Sequence, residues 1–237
     1  MMPTGWDHLL ALFLLVVVPL HATVTYRQLL ARLATGEAGV RIREYRWVIG
    51  LQWGLVALVL VLWVFAGRGA ALLGLTVPGG WPGIGGLAIT AVGLAFLAAQ
   101  GRAIAALEVD RLEGLKAQLA GARALLPTTD EESATFRWVA ITAGICEELI
   151  YRGYLIWYLG GYLGGWLGAV LAALLFGLGH FYQGPSGAVK AGVVGLAAGL
   201  LFVGTGSLLW PMVLHAAVDL QGGAVGRRVF GESPRPR

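Results

Sequence analysis

Seven long apolar stretches dominate this sequence, and they restrict the chain to a lipid environment. Each has about 16 to 24 residues, close to the roughly 20 that a helix needs to cross ~30 Å of hydrocarbon. They cover residues 6–24, 47–66, 83–99, 136–159, 166–181, 188–204 and 208–225. We therefore predict an all-α, polytopic integral membrane protein with about seven transmembrane helices.

The composition excludes several other classes of protein. Of the 237 residues, 57% are hydrophobic and 13% are charged, about half of the ~25% charged residues in an average soluble domain. A water-soluble protein of this size would have too little polar surface for its exterior. A soluble enzyme, a disordered chain and a nucleic-acid-binding module are excluded. The single cysteine excludes a disulfide framework.

The distribution of basic residues predicts the orientation of the helices. The first eight residues contain no Lys or Arg and include Asp7, unlike a cleavable signal peptide, so we predict a retained first helix with its N-terminus outside. With alternate loops assigned to the cytoplasm, fifteen basic residues lie inside and one, Arg68, lies outside. The C-terminus is then inside. Arg outnumbers Lys by 15 to 2, a composition that favours a prokaryotic inner or plasma membrane.

The chain also contains one patterned loop and one basic tail. In residues 101–135, apolar residues recur at near-helical spacing among charges and predict an amphipathic cytoplasmic helix on the membrane surface: Ile104, Leu107, Leu112, Leu115, Leu119 and Leu125. Thr128, Thr129 and Asp130 are suited to cap the next helix. We divide the chain into three N-terminal helices (1–100), this loop (101–135), a four-helix core (136–225) and a basic cytoplasmic tail (226–237).

Ionisable side chains interrupt the helices of the predicted core, although each is costly inside a bilayer. They are Glu147, Glu148, Arg152, His180, His215 and Asp219. A single intramembrane histidine is as often a hydrogen-bonded packing residue as a functional one. Six such groups on three helices instead indicate a functional site, which their depth places in the cytoplasmic half of the membrane.

Helical spacing groups these side chains. Glu148 and Arg152 are four residues apart and share a helix face, which predicts a buried ion pair. Glu147 lies about 100° around the helix from Glu148, so it lacks that partner and is suited to proton transfer. His215 and Asp219 have the same four-residue spacing. The Asp219 carboxylate is therefore expected to orient the His215 ring.

Two histidines and a glutamate offer two routes to the hydrolysis of an acyl bond. Phe176 and His180 are also four residues apart, which places the Phe176 ring beside the imidazole. His180, His215 and Glu147 can bind a divalent metal such as Zn²⁺ that polarises water. Alternatively, Glu147 takes a proton from water directly, while the histidines position the water and stabilise the oxyanion. The sequence contains no His-Glu-x-x-His pair, so the site of the familiar zinc proteases is absent.

The same residues form three ordered motifs, on separate predicted helices. The motifs are Glu147-Glu148-x-x-x-Arg152, Phe176-x-x-x-His180 and His215-x-x-x-Asp219. In these motifs the chain resembles the CAAX protease and bacteriocin-processing family of intramembrane endopeptidases, also called CPBP or Abi, which is similar to type II CAAX prenyl endopeptidases. The resemblance covers residues 126–222, and residues 1–100 carry none of the motifs.

The resemblance implies an intramembrane protease and a role for each motif residue. It implies a catalytic set of Glu147, Glu148, His180 and His215, with Arg152, Asp219 and Phe176 supporting it. Glu147 is the implied general base on the attacking water, and His180 shares that water or binds a metal. His215 stabilises the oxyanion or completes a metal site, while Glu148 pairs with Arg152. The resemblance leaves both glutamic and metal-dependent catalysis open.

The expected partners are a lipid bilayer and a membrane-associated protein or peptide substrate, with no nucleic acid. A prenylated C-terminus, a secreted-peptide leader and a membrane-anchored tail all fit, and the sequence does not determine the oligomeric state. An ion or proton transporter and a non-proteolytic membrane scaffold are the alternative functions. The chain lacks the internal repeat typical of transporters, and its intact motifs argue against a scaffold. Cys146 is disfavoured as a nucleophile because apolar surroundings disfavour the thiolate.

Overall fold

The structure is a computed structural model that describes residues 2–231, and in this range the chain is helical and contains no strand. Eight helices of eight or more residues follow one another in the described range. They are α1 Gly5–Ala34, α2 Val40–Phe65, α3 Gly80–Ala105, α4 Val109–Leu119, α5 (residues 130–163), α6 Gly165–Gly179, α7 Pro185–Thr205 and α8 Leu209–Phe230. The predicted basic tail lies partly outside the described residues, which end before Arg235 and Arg237.

Apart from one or two terminal residues, each predicted apolar stretch lies on one of these helices. Four of them, α1, α2, α3 and α7, are long and apolar enough to cross a membrane, and α6 is a shorter apolar helix. The all-helical fold and the long apolar helices confirm the predicted class. The number of seven crossings and their orientation stay predictions.

The loop between α3 and α5 differs from the single amphipathic helix that its periodicity predicts. Ile104 belongs to the end of α3, the helix breaks, and α4 begins at Val109. Arg228 explains the longer α3, because its guanidinium donates to the carbonyls of Ile104 at 3.1 Å and Leu107 at 2.9 Å. A cation on the last carbonyls of a helix stabilises that end.

The start of α5 confirms the predicted cap. Thr129 is the N-cap residue, and its hydroxyl accepts a hydrogen bond from the Glu132 amide at 3.1 Å. The Glu132 carboxylate in turn accepts from the Thr129 and Thr128 amides, at 3.3 and 2.7 Å. This reciprocal capping box satisfies amides that the first turn leaves free, and it fixes where α5 starts.

Helix α5 is the centre of the fold. Its first half, Asp130–Glu148, packs between α2 and α8, and its last part, Ile156–Leu163, packs on α6. A π-helical segment, Leu149–Leu155, joins the two parts. Short π-helical segments inside α-helices are rare and are found mostly at functional sites. Here the segment begins immediately after the two glutamates of the first motif.

Helices α5 and α8 approach each other closely at Gly144. A Cβ added to Gly144 would lie 2.7 Å from the backbone nitrogen of Ala216. Any larger residue at this position would therefore push α8 away from α5. The close contact places His215, the neighbour of Ala216, against the glutamates one turn along α5.

A buried ion pair ties the start of α1 to the loop after α2. The Arg68 guanidinium donates to both carboxylate oxygens of Asp7, at 2.7 and 2.5 Å, and the two side chains are only 1% and 4% exposed. The guanidinium lies 4.2 Å from the centre of the Trp157 ring, and the Tyr154 hydroxyl donates to the Asp7 carbonyl at 2.9 Å. Arg68 lies in a predicted loop, and no local sequence pattern predicts this pair.

Removing one partner of this pair should destabilise the protein strongly. Arg68→Met leaves the Asp7 carboxylate buried without its counter-charge, at a cost of about 3–5 kcal/mol. At about 2–4 °C per kcal/mol, the thermal midpoint of unfolding in detergent should fall by roughly 6 °C or more. The double variant Asp7→Asn/Arg68→Met should recover part of that loss.

The matched control is Arg32→Met, which breaks an exposed ion pair with Glu37. Its thermal midpoint should stay near that of the wild type, because exposed ion pairs contribute little to stability. An equal fall of the thermal midpoint in Arg32→Met and Arg68→Met would show that burial does not make the Asp7–Arg68 pair more stabilising than an exposed pair.

Candidate active site

The three motifs meet around one buried network that is centred on Glu148. Its Oε1 atom accepts hydrogen bonds from Arg152 Nη1 at 2.7 Å and from His215 Nδ1 at 2.7 Å. Arg152 also donates to the Gly195 carbonyl at 3.1 Å, and its guanidinium lies 4.5 Å from the centre of the Phe176 ring. The predicted Glu148–Arg152 ion pair is confirmed, and the network links α5, α6, α7 and α8.

Glu148 holds His215 in place rather than facing the open space of the site. It is fully buried, and it does not line either of the two cavities described below. Its bond to Nδ1 turns Nε2 of His215 toward Glu147 and Asp219, whose carboxylate oxygens lie 3.9 and 3.7 Å away. The ring is therefore oriented mainly by Glu148. The prediction that Asp219 orients it is wrong, because the Asp219 carboxylate is 3.7 Å from Nε2.

Glu147 faces the cavity, and it has a partner that the sequence analysis missed. Its Oε1 atom accepts a hydrogen bond from Gln52 Nε2 on α2 at 2.7 Å, and its Oε2 atom lies nearest to His215. Gln52 is the only amide or ionisable side chain in the apolar stretch 47–66. A lone amide in an apolar stretch is a sequence signal for a functional residue. Gln52 was not predicted because an amide, unlike the six motif residues, is not ionisable.

His180 follows the last residue of α6 and is oriented by that helix. Its Nδ1 atom lies 2.8 Å from the Phe176 carbonyl, and a carbonyl only accepts, so Nδ1 carries the proton. In this tautomer, Nε2 is the hydrogen-bond acceptor of the ring. The Phe176 and His180 rings are in contact, with centroids 4.4 Å apart, as their spacing predicts.

A cavity of about 430 Å³ joins these side chains. Its walls include Glu147, His180, His215 and Asp219, and it extends past Lys190 to the residues that follow α4. A second, smaller cavity of about 160 Å³ lies between α1, α2 and α5 and is mostly apolar, with Leu14 and Leu51 in its walls. Gln52, Glu147 and His180 line both cavities, so the two meet at the site.

The described residues do not assemble a ready metal site. Glu147, His180 and His215 were the candidate ligands, but no three His, Cys, Asp or Glu side chains within residues 2–231 are arranged to hold a metal ion. The 3.9 Å between His215 Nε2 and Glu147 Oε2 is compatible with two ligands of one Zn²⁺ ion, each about 2.0–2.2 Å from the metal, but the described residues place no third ligand beside them. As they stand, the described residues therefore do not form the three-ligand site that a catalytic Zn²⁺ uses.

Comparison with known proteins confirms the resemblance over the segment that carries the motifs. Residues 131–221 match the family model described as "Type II CAAX prenyl endopeptidase Rce1-like". No curated protein and no solved structure matches the chain. The matched segment contains all three motifs and excludes α1, α2 and α3. The family match implies a protease, and together with the long apolar helices it indicates a multi-pass membrane protein.

The Glu148 network should be required for assembly. Arg152→Met leaves the Glu148 carboxylate buried without its cation, which costs about 3–5 kcal/mol. We expect most of this variant to be lost or aggregated when the protein is extracted in detergent and separated by size. The double variant Arg152→Met/Glu148→Gln removes the unpaired charge and should recover much of the folded fraction. A double variant no more stable than Arg152→Met would contradict this account.

Proposed function

We propose that this protein is an intramembrane endopeptidase that uses Glu147 to activate water. The observation that carries the proposal is the arrangement of Glu147, His180 and His215 around one cavity, on the motifs of the matched segment. We propose further that the chain crosses the membrane seven times, with the N-terminus outside, the C-terminus inside and the larger cavity open toward the cytoplasm. The excess of basic residues in alternate loops supports this orientation.

The reaction begins with a water molecule between Glu147 and the histidines. Glu147 Oε2 and His215 Nε2 are 3.9 Å apart, too far for a direct hydrogen bond but close enough for one water to contact both. Glu147 removes a proton from this water as its oxygen attacks the scissile carbonyl carbon. Nε2 of His180 accepts the second hydrogen of the water and orients the attack.

The histidine on α8 stabilises the charge that the attack creates. His215 donates from Nδ1 to Glu148, so donation from Nε2 to the oxyanion requires a proton on each nitrogen. The carboxylates of Glu147, Glu148 and Asp219 surround the ring and compensate that charge. When the tetrahedral intermediate collapses, the C–N bond breaks and Glu147 returns its proton to the leaving amine.

The two cavities support a membrane-associated or lipid-modified protein or peptide as the substrate. The larger one offers carboxylates, histidines and Lys190 to a polar peptide segment. The smaller one presents mostly apolar walls between α1, α2 and α5. A substrate with an apolar anchor and a peptide backbone would contact both cavities where they meet, beside Glu147.

The test of this function is the substitution Glu147→Gln, which keeps the shape of the side chain and removes the base. We expect a loss of at least about 100-fold in cleavage rate, since general bases contribute about 10²–10⁴. New protein termini should be compared in membranes from cells that carry the wild type or the variant, at equal protein levels. Glu113→Gln, on an exposed carboxylate of α4, is the matched control and should behave as the wild type.

The outcomes separate the proposed function from its alternatives. Termini that appear with wild type and Glu113→Gln but not with Glu147→Gln support a protease and name its substrate. Identical termini in all membranes would contradict the proposal. Ion flux into vesicles that depends on Glu147 would then support a transporter, and a co-purifying protein without flux would support a scaffold.

Chelation tests the absence of a metal step. Because the donor set does not fit a metal ion, we expect purified enzyme to keep kcat/KM within about twofold after incubation with 1,10-phenanthroline or EDTA and removal of the chelator. A loss that added Zn²⁺ restores would show that the site rearranges around a metal, and the glutamate mechanism would be wrong.

A further inference from the structure

We propose that Gln52 is a positioning residue of this site, which fixes the orientation of the Glu147 carboxylate. This inference rests on the proposed function and adds a residue from α2, outside the matched segment 131–221. It also gives the N-terminal helices a part in positioning the base. Three observations support it: the bond to Glu147, the unpartnered oxygen of the same amide and the packing of α2 on α5.

The bond to Glu147 supplies an orientation that the glutamate lacks on its own. The terminal torsion of a glutamate side chain has broad, roughly two-fold preferences, so the carboxylate plane is weakly set by rotamer energy. Gln52 Nε2 donates to Oε1 at 2.7 Å, which occupies that oxygen. The other oxygen, Oε2, faces His215 Nε2 at a distance of 3.9 Å. The proposed water is deprotonated between these two atoms.

The orientation of the Gln52 amide follows from chemistry. An ionised carboxylate has no hydrogen to donate, so only the NH₂ group of Gln52 can face it. The carbonyl oxygen, Oε1, must then point elsewhere. It is buried and has no hydrogen-bond partner among the described residues.

A buried amide oxygen without a donor is costly, and native structures seldom leave one unpaired. Gln52 lines both cavities at their junction, yet this oxygen is closed off from their open space. The amide is therefore kept at a cost, which its bond to Glu147 accounts for. We assign to Gln52 that one contact, which orients the base.

Helix α2 is well placed to hold this amide rigidly. One turn beyond Gln52, Leu55 and Val56 are buried in the same apolar core as Leu149 and Ile150 of α5. The first half of α5, which carries Glu147, packs along α2. A misplacement of about 1 Å in a catalytic group can cost 10²-fold in rate, so this packing matters for the reaction.

The test is Gln52→Met, which keeps the length and bulk of the side chain and removes both polar groups. We expect kcat to fall about 10- to 100-fold while KM changes less than about threefold, because the change leaves the carboxylate of the base without its restraint. Gln100→Met is the matched control, since Gln100 is an exposed glutamine of α3 that bonds only to Gln221 in the described residues. It should leave both constants near those of the wild type.

A stability cycle checks the contact without using activity. The thermal midpoints of Gln52→Met, Glu147→Met and the double variant should be non-additive, with the second change costing less once the first is made. Additive shifts would overturn the inference, because they would show that the two side chains do not interact.

The kinetic outcomes distinguish this inference from the function it rests on. If Glu147→Gln is inactive and Gln52→Met keeps the wild-type kcat, Gln52 has no positioning role and the protease assignment stands. A fall in kcat/KM that lies wholly in KM would also overturn the inference, in favour of a substrate contact. If the wild type shows no Glu147-dependent cleavage, both proposals are wrong.

Discussion

The site depends on one buried carboxylate oxygen, Oε1 of Glu148, which accepts from both Arg152 and His215. A carboxylate with no exposure needs a cation, and Arg152 supplies it from the next turn of the same helix. The arginine then reaches the Gly195 carbonyl on α7, and the histidine comes from α8. Charge compensation inside an apolar bundle therefore fixes the relative positions of three helices, and the direction of the His215 ring follows from it.

The N-terminal helices complete this arrangement instead of only anchoring it. The matched segment supplies the glutamates, the histidines and their supports, but the hydrogen bond to Glu147 Oε1 comes from Gln52 on α2. The smaller cavity also has walls from α1 and α2. Residues 131–221 alone would lack this hydrogen bond and part of the walls of the smaller cavity. Helices that carry no family motif are part of the same functional unit.

The parts of this structure that could be predicted from the sequence are those made by residues close together in the chain. Apolar length predicted the helices, and a four-residue spacing predicted the Glu148–Arg152 pair, because both are local properties. The bond from His215 to Glu148 spans 67 residues and depends on how closely α8 packs at Gly144. The Asp7–Arg68 pair is equally remote in sequence, and the π-helical segment after Glu148 has no local signature. Gln52 was visible as the lone polar group of its stretch, but its partner was not.

The Asp7–Arg68 pair has a consequence for how the chain is made. The two residues are 61 positions apart, with most of α1 and all of α2 between them. At translation rates of about 5–20 residues per second, Arg68 leaves the ribosome about 3–12 s after Asp7. During that interval the Asp7 carboxylate has no counter-charge, so burying the start of α1 in ionised form is costly. The first helix can enter the bilayer early. The ion pair that fixes its start can form only after the end of the second helix has been made.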